Sequence, residues 1–326
     1  MRRLTVTAES FPIAVAFTIS RGSKTVADVV SVEIAEGGHR GRGECLPYGR
    51  YGETIAGSIA EIEALRGDLE RGLERPDLQR RMKAGAARNA VDCALWDLEA
   101  KRTGRSAAEL AGLPAPRPVI TAYTLSVGTV ESMAAAAKAN AHRPLLKLKL
   151  AGPGDLDRVA AVHENAPKSR LIIDANEGWT PAIFAELAPK LAPLGVELIE
   201  QPLPAASDEA LAKLARPIAV CADESCHGVD TLPKLAGKYD AVNIKLDKTG
   251  GLTGALVLAD AAAAQGFTIM IGSMVATSLA VAPAMLIAQR ARWVDLDGPL
   301  LLARDRGDGL QFDGSLVQPP RRELWG

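Results

Sequence analysis

The chain has 326 residues, 48% of them hydrophobic, and its 38 Lys plus Arg nearly balance 39 Asp plus Glu for a formal charge of −1. That balance gives no electrostatic reason to expect nucleic acid or an anionic membrane surface as partner, so an anionic substrate must be met by local charge. No run approaches the ~18 apolar residues of a membrane span, and the four cysteines (Cys45, Cys93, Cys221, Cys226) contain no zinc-type C-x-x-C pair.

Taken in chain order, the first signal is ambiguous. Met1-Arg2-Arg3 and the apolar stretch Phe11 to Phe17 faintly resemble a signal peptide, but Glu9 and Pro12 interrupt it and Leu4, Val6 and Ala8 alternate as in a strand. The expectation is a soluble, cytoplasmic enzyme with reduced thiols. Val26 to Glu36 is β-branched, and Gly37-Gly38 reads as a turn into a strand at Gly41 to Cys45. In Ala86 to Arg102 the apolar residues recur at helical spacing, with Gly104 placed as a C-terminal cap. Ser106 to Glu109 is a capping box, and prolines 114, 116 and 118 mark a boundary. Residues 1–116 are therefore expected to form an α+β unit.

From Val119 short apolar strands alternate with helical segments. The strands are expected at 120–125, 145–150, 171–175, 197–200, 218–222, 241–246, 268–272 and 293–297, with helix starts at Thr129, Thr180 and Ser207. Eight strand–helix units predict a (β/α)₈-type barrel over 117–299. The stretch 300–326 has no barrel period and is expected to complete the N-terminal unit.

Charged residues recur where barrel strands should be apolar. Lys149, Asp174, Glu200, Asp223 and Lys245 follow one another at 25, 26, 23 and 22 residues, so each takes the same place in its own unit, at the C-terminal mouth where barrel active sites lie. A single charged residue near a strand end is ordinarily an ion-paired surface group; five at one stride are not. Strands three, four and five are neighbours, so Asp174, Glu200 and Asp223 converge, and an all-oxygen set suits Mg²⁺. Strands two and six lie opposite in a ring of eight, so Lys149 and Lys245 face each other. Lys147 shares the strand face of Lys149, and its charge is expected to make its neighbour a better base.

Two opposed bases beside Mg²⁺ suit proton removal from the carbon next to a carboxylate, through an enediolate, with inversion on return from the other face; a Lys base with Mg²⁺ is a known pairing in the enolase superfamily. Asp295 and Asp297 share one face of the last strand, away from the metal, and their fitting counter-charge is a substrate ammonium. Lys24, in the loop from Ser20, is placed to meet a distal carboxylate if that region covers the mouth. The four histidines carry no assigned role, and Gly250-Gly251 reads as a turn.

Five ordered segments carry a family resemblance: Lys147-Leu148-Lys149, Ile173-Asp174-Ala175-Asn176, Ile199-Glu200-Gln201-Pro202, Ala222-Asp223-Glu224-Ser225 and Asn243 to Gly251. Together they resemble the muconate-lactonizing subgroup of the enolase superfamily over essentially the whole chain. Asp295 to Pro299 is similar to the dipeptide epimerases, and Ile19 to Ser23 with Tyr48 to Glu53 resembles the L-Ala-D/L-Glu epimerases of murein peptide metabolism. The resemblance implies a capping domain over a modified TIM barrel of (β/α)7β type, Mg²⁺, and epimerisation at the second residue of a dipeptide. It further implies that Lys149 and Lys245 are the bases, that Lys147 assists the enediolate, and that Thr124, Ser273 and Met274 line the pocket. Asn176, Glu224 and Lys248 read as residues that steady the ligands or base. The cap-loop cation of such epimerases is often arginine; here position 24 is lysine, which keeps the charge and loses the bidentate fork. Cycloisomerisation, o-succinylbenzoate formation and N-acylamino-acid racemisation are the alternatives within the subgroup, a barrel retained only for binding is the alternative outside it, and a homo-oligomer is expected by analogy.

Overall fold

The computed structural model describes residues 2–326. Three antiparallel strands open the chain: β1 (Arg3–Ile19), β2 (Gly22–Glu36) and β3 (His39–Cys45), with a register shift in β1 between Pro12 and Phe17. Val30, Val32 and Ile34 of β2 face the long helix Ala86–Thr103, which buries Ala87, Ala90, Val91 and Ala94 against them. That helix sits directly on β3: a Cβ at Gly43 would come 2.0 Å from Ala90 O, and one at Gly41 2.2 Å from Ala94 O. Only glycine allows this approach. Gly104 caps the helix in the left-handed region and Ser106 forms the expected capping box.

The expected first barrel strand is two. β4 (Val119–Ile120) pairs with the C-terminal hairpin β13 (Phe312–Asp313) and β14 (Leu316–Val317), and only β5 (Tyr123–Leu125) joins the barrel. Seven parallel strands follow in sequential order: β6 (Leu145–Lys149), β7 (Arg170–Asp174), β8 (Val196–Glu200), β9 (Ala219–Ala222), β10 (Ala241–Ile244), β11 (Thr268–Gly272) and β12 (Trp293–Asp295). Ala122 N donating to Val294 O at 2.8 Å and Leu296 N to Thr121 Oγ1 at 2.8 Å draw the first and last strands together. This nearly closed barrel is the expected TIM-type fold.

The barrel interior is layered by strand alternation. Its floor is Ala122, Leu145, Ile172, Leu198, Cys221, Ala241, Met270 and Trp293, one from each strand segment. Two residues on in each stand Thr124, Lys147, Asp174, Glu200, Asp223, Asn243, Gly272 and Asp295, all buried. Two further on come Lys149, Lys245, Met274 and Asp297. Hydrophobic alternation therefore places a charged layer on an apolar floor.

Thr129 and Thr180 cap their helices as expected. Ser207 does not: its segment forms two short 3₁₀ turns, and Asp208 is held by Tyr239 Oη and Ser225 Oγ, each at 2.7 Å. A local tertiary bond replaces the helix start. The segment after β12 packs in two directions, for Leu302 bridges to Ile13 and Trp325 Nε1 donates to Cys93 O at 2.9 Å, while the β13–β14 hairpin lies against β4. All four cysteines are buried and free. No described helix is long and apolar enough to cross a membrane.

Candidate active site

Register brings the charged residues together. Lys149 pairs with Asp174 across β6 and β7, and Asp174 with Glu200 across β7 and β8; Asp223 stands just past β9. The carboxylates are turned onto lysines. Lys149 Nζ donates to Asp174 Oδ2 at 2.6 Å, Lys245 Nζ to Asp223 Oδ2 at 2.7 Å, and Lys248 Nζ to Asp223 Oδ1 at 2.6 Å. Lys147 Nζ, almost wholly buried, lies 2.5 Å from Glu200, 2.6 Å from Asp295 and 3.3 Å from Asp174.

These contacts correct two expectations. Lys147 is not simply a cation beside Lys149. Burial opposes its charge, but Asp295, Glu200 and Asp174 outweigh burial and hold its ammonium well above the usual lysine range. Lys245 is raised too, since Asp223 and Glu200 overcome burial. Each keeps its proton while the facing carboxylates carry uncompensated charge. The second correction concerns Asp295, which is not apart from the carboxylates expected to hold the metal, because the Lys147 ammonium touches it and Glu200 alike.

Asp174 is held low, where burial is outweighed by Lys149 and Lys147, and Asp223 is lowered by Lys245 and Lys248 against burial. Glu200 is raised by burial and by Asp174 beside it. Its Oε1 accepts from Asn243 Nδ2 at 2.6 Å, whereas Oε2, close to Lys147 but badly angled for it, has no hydrogen-bond partner. Among the described residues no three His, Cys, Asp or Glu side chains form a ready cage, because ammonium groups stand between the carboxylates. The donor set still fits a hard divalent cation: three buried carboxylates, close enough to raise one another, with one oxygen that accepts no hydrogen bond.

Above this layer lies a cavity of about 440 Å³, roofed by the N-terminal sheet. Lys149, Asp223, Lys245, Ser273, Met274 and Lys24 line it; Lys147, Asp174, Glu200, Thr124, Asp295 and Asp297 lie outside the lining. Thr124 N donates to Asp297 Oδ2 at 2.6 Å. Burial and then Asp295 push the Asp297 carboxyl up to about 7. β12 ends at Asp295, and Asp297 opens the turn Gly298–Leu301 rather than continuing the strand.

Several residues given no role by sequence reasoning complete the site. Arg21 ties the roof to the mouth, donating to Asn176 O at 2.7 Å, Glu224 Oε1 at 2.7 Å and Tyr48 Oη at 3.0 Å. Arg50 makes two bonds of 2.9 Å to Glu177. Gln201 Oε1 accepts from Asp223 N at 2.9 Å and from Ser225 N at 3.1 Å, aiming the loop that carries Asp223. Asn176, Glu177 and Gln201 all have positive φ (44°, 65° and 34°), a strain gathered at the ends of β7 and β8. Asn243 was findable by the strand alternation; Arg21 and Arg50 lie in the two segments that carry the epimerase resemblance, but no local period marks their contacts between distant loops.

Of the five lining cations, Arg21, Arg50, Lys149 and Lys245 each touch a carboxylate. Lys24 has no such partner among the described residues, and its Nζ lies 5.4 Å from the centre of the Tyr48 ring.

Two family models match the chain, the mandelate racemase/muconate lactonizing enzyme N-terminal domain over residues 1–112 and the enolase C-terminal domain-like family over 129–323. An L-Ala-D/L-Glu epimerase of Escherichia coli is 48% identical over 96% of this chain and 98% of its own length. An N-acetyl-D-glutamate racemase of Pseudoalteromonas is 46% identical over 91% and 95%. A crystal structure from Agrobacterium tumefaciens, an enolase family member with homology to dipeptide epimerases holding sodium and L-Ala-L-Glu, superimposes with a TM-score of 0.98 at 54% identity over the full length of both chains. A Methylococcus capsulatus dipeptide epimerase complexed with Mg and L-Arg-D-Lys gives 0.92 at 30% identity, covering 99% of this chain and 98% of that one. The chain belongs to the enolase superfamily, in its mandelate racemase and muconate lactonizing enzyme branch.

Proposed function

We propose that this protein is a dipeptide epimerase acting at the α-carbon of the second residue, with L-Ala-D/L-Glu preferred and Mg²⁺ as its metal. The observation that carries this reading is that Lys149, at the end of β6, and Lys245, just past β10 four strands away in the ring, line one cavity over the charged layer. One lysine takes the α-proton, the C–H electron pair passes into the substrate carboxylate as an enediolate, and the other lysine returns a proton to the opposite face. Asp174, Glu200 and Asp223 hold the divalent cation, which when bound offsets charge on that carboxylate. Lys147 adds a positive charge from below. Asp295 and Asp297 receive the substrate ammonium, and Thr124 fixes Asp297. Ser273 and Met274 shape the wall, and Lys24, the lining cation without a carboxylate, meets the acidic side chain. The Escherichia coli relative and the L-Ala-L-Glu complex support the same assignment.

Lys24→Met tests the acidic preference. The variant is expected to lose about tenfold in kcat/KM for L-Ala-L-Glu and little for L-Ala-L-Leu; equal losses for both would remove Lys24 from the subsite.

A second reading, racemisation of an N-acylated glutamate, is favoured by the Pseudoalteromonas relative and by Asp295 being already engaged with Lys147. Incubation in D₂O with Mg²⁺, read by mass gain, separates the two: L-Ala-L-Glu should take up one deuterium far faster than N-acetyl-glutamate. The Asp297 carboxyl, at about 7, becomes neutral as pH falls below that value and loses its attraction for an ammonium. KM for the dipeptide should therefore rise as pH drops from 8 to 6. Asp297→Asn should raise KM most at pH 8, where the carboxyl is charged, and flatten that rise. A variant unchanged on the dipeptide would favour the N-acyl reading.

A further inference from the structure

Lys245 does not stand on a strand. β10 ends at Ile244, and Lys245 opens the helical turn Leu246–Thr249, whose side chains point two ways. Lys248 turns inward, donating to Asp223 O at 2.6 Å and Asn243 O at 2.9 Å. Asp247 turns toward the N-terminal unit, where its Oδ1 accepts from Asn89 Nδ2 at 2.8 Å and Leu46 N at 3.3 Å.

The loop beyond is fastened to the same helix, Ala86–Thr103. Arg88 Nη2 donates to Thr249 O at 2.8 Å and Nε to Gly250 O at 3.1 Å. Thr253 donates to Asp92 through both N, at 2.9 Å, and Oγ1, at 2.7 Å. A Cβ at Gly251 would fall 2.4 Å from Asp92 Oδ2, so helix and loop are in direct contact.

The opposite lysine has no hydrogen-bonded anchor of this kind, although its Nζ lies 5.7 Å from the centre of the Phe17 ring of β1. After Lys149, Leu150 N donates to Asp174 O, and Ala151 and Gly152 donate to the Asp155 carboxylate, all within the barrel. Among the described residues no hydrogen bond joins 150–154 to residues 2–112.

We propose that the helix Ala86–Thr103, through Asn89 and Asp247, is a positioning element for Lys245 and not for Lys149, so that this helix sets the geometry of one of the two proton transfers. The proposal rests on the two-lysine reading above. A shift of this helix moves Lys245 relative to the α-carbon and leaves Lys149 in place, and misplacement by about 1 Å costs on the order of a hundredfold.

Exchange of the α-proton exposes the asymmetry. A lysine that takes the proton becomes an ammonium, trades it with D₂O and returns a deuteron to the same face, so each epimer exchanges through its own lysine. Overall epimerisation falls equally in both directions whichever lysine is impaired, because the equilibrium between epimers is fixed. Each epimer of L-Ala-Glu is incubated in D₂O with Mg²⁺ and Asn89→Ala, Arg88→Met, Lys245→Ala or Lys149→Ala enzyme. The expected result is that Asn89→Ala slows exchange about tenfold or more in the epimer that Lys245→Ala silences, and less than about twofold in the other. Arg88→Met, at a half-buried site, should repeat the pattern if Asn89→Ala folds poorly. Asp247→Asn keeps the acceptor for Asn89 and Leu46 and should restore what Asp247→Ala loses. Equal slowing of both epimers in Asn89→Ala and Arg88→Met overturns the proposal and makes the contact merely structural. Absence of exchange in the unaltered enzyme would instead overturn the epimerase reading.

Discussion

Lys149→Ala and Lys245→Ala are each expected to lower epimerisation of L-Ala-Glu about a thousandfold or more, yet each should leave α-proton exchange in one epimer, and not the same one. β6 and β10 place the two lysines on opposite sides of the cavity, so each reaches a single face of the α-carbon. Removing one stops inversion, which needs both faces, while the survivor still takes and returns a proton on its own side. Proton NMR of the α-signal in D₂O, run separately from each epimer, reads this directly. If both variants silence the same epimer, the lysines are not opposed bases.

Removal of divalent cations is expected to abolish exchange and lower thermal stability, and Mg²⁺ to restore both. Asp174, Glu200 and Asp223 are buried in one layer with their charges close, and Glu200 Oε2 has no hydrogen-bond partner. A cation bound only by the folded state, at a hundred times its dissociation constant, adds about 2.7 kcal/mol. For a chain of 326 residues that corresponds to a rise in Tm of about 4 °C. Glu200→Gln should remove most of the Mg²⁺-dependent rise while the metal-free protein stays folded, since the amide keeps an oxygen for Asn243. A melting temperature indifferent to Mg²⁺ and to chelator would exclude these carboxylates as the metal site.

The barrel and the composition of its charged layer were legible because both follow from one periodicity. Alternation and a constant stride place Asp174, Glu200 and Asp223 on neighbouring strands without knowledge of any contact. Lys149 and Lys245, expected at that same place, stand one layer higher, and Lys147 takes the level of the carboxylates. What was not legible depends on contacts between distant segments. The alternation that puts Lys147 in the barrel does not say that its ammonium sits among three carboxylates. Nor does a serine at 207 reveal that Tyr239 and Ser225 will claim its neighbour Asp208. The end of β10 at Ile244 was misread for a similar reason, since Leu246 is apolar enough to extend a strand but belongs to a helical turn.

The stacking of a charged layer on an apolar floor has a consequence for how this gene can change. Each member of the charged layer stands two residues beyond a floor residue on the same strand, so loss or gain of one codon inside β6, β7 or β8 exchanges the two faces of that strand's end. Lys147, Asp174 or Glu200 would then point into the surrounding helices, and Leu148, Ile173 or Ile199 into the mouth. Substitution can be graded at these strands, but length cannot. Variation in length among descendants is confined to the loops, where added residues cost little, and the mouth of the barrel is where those loops converge.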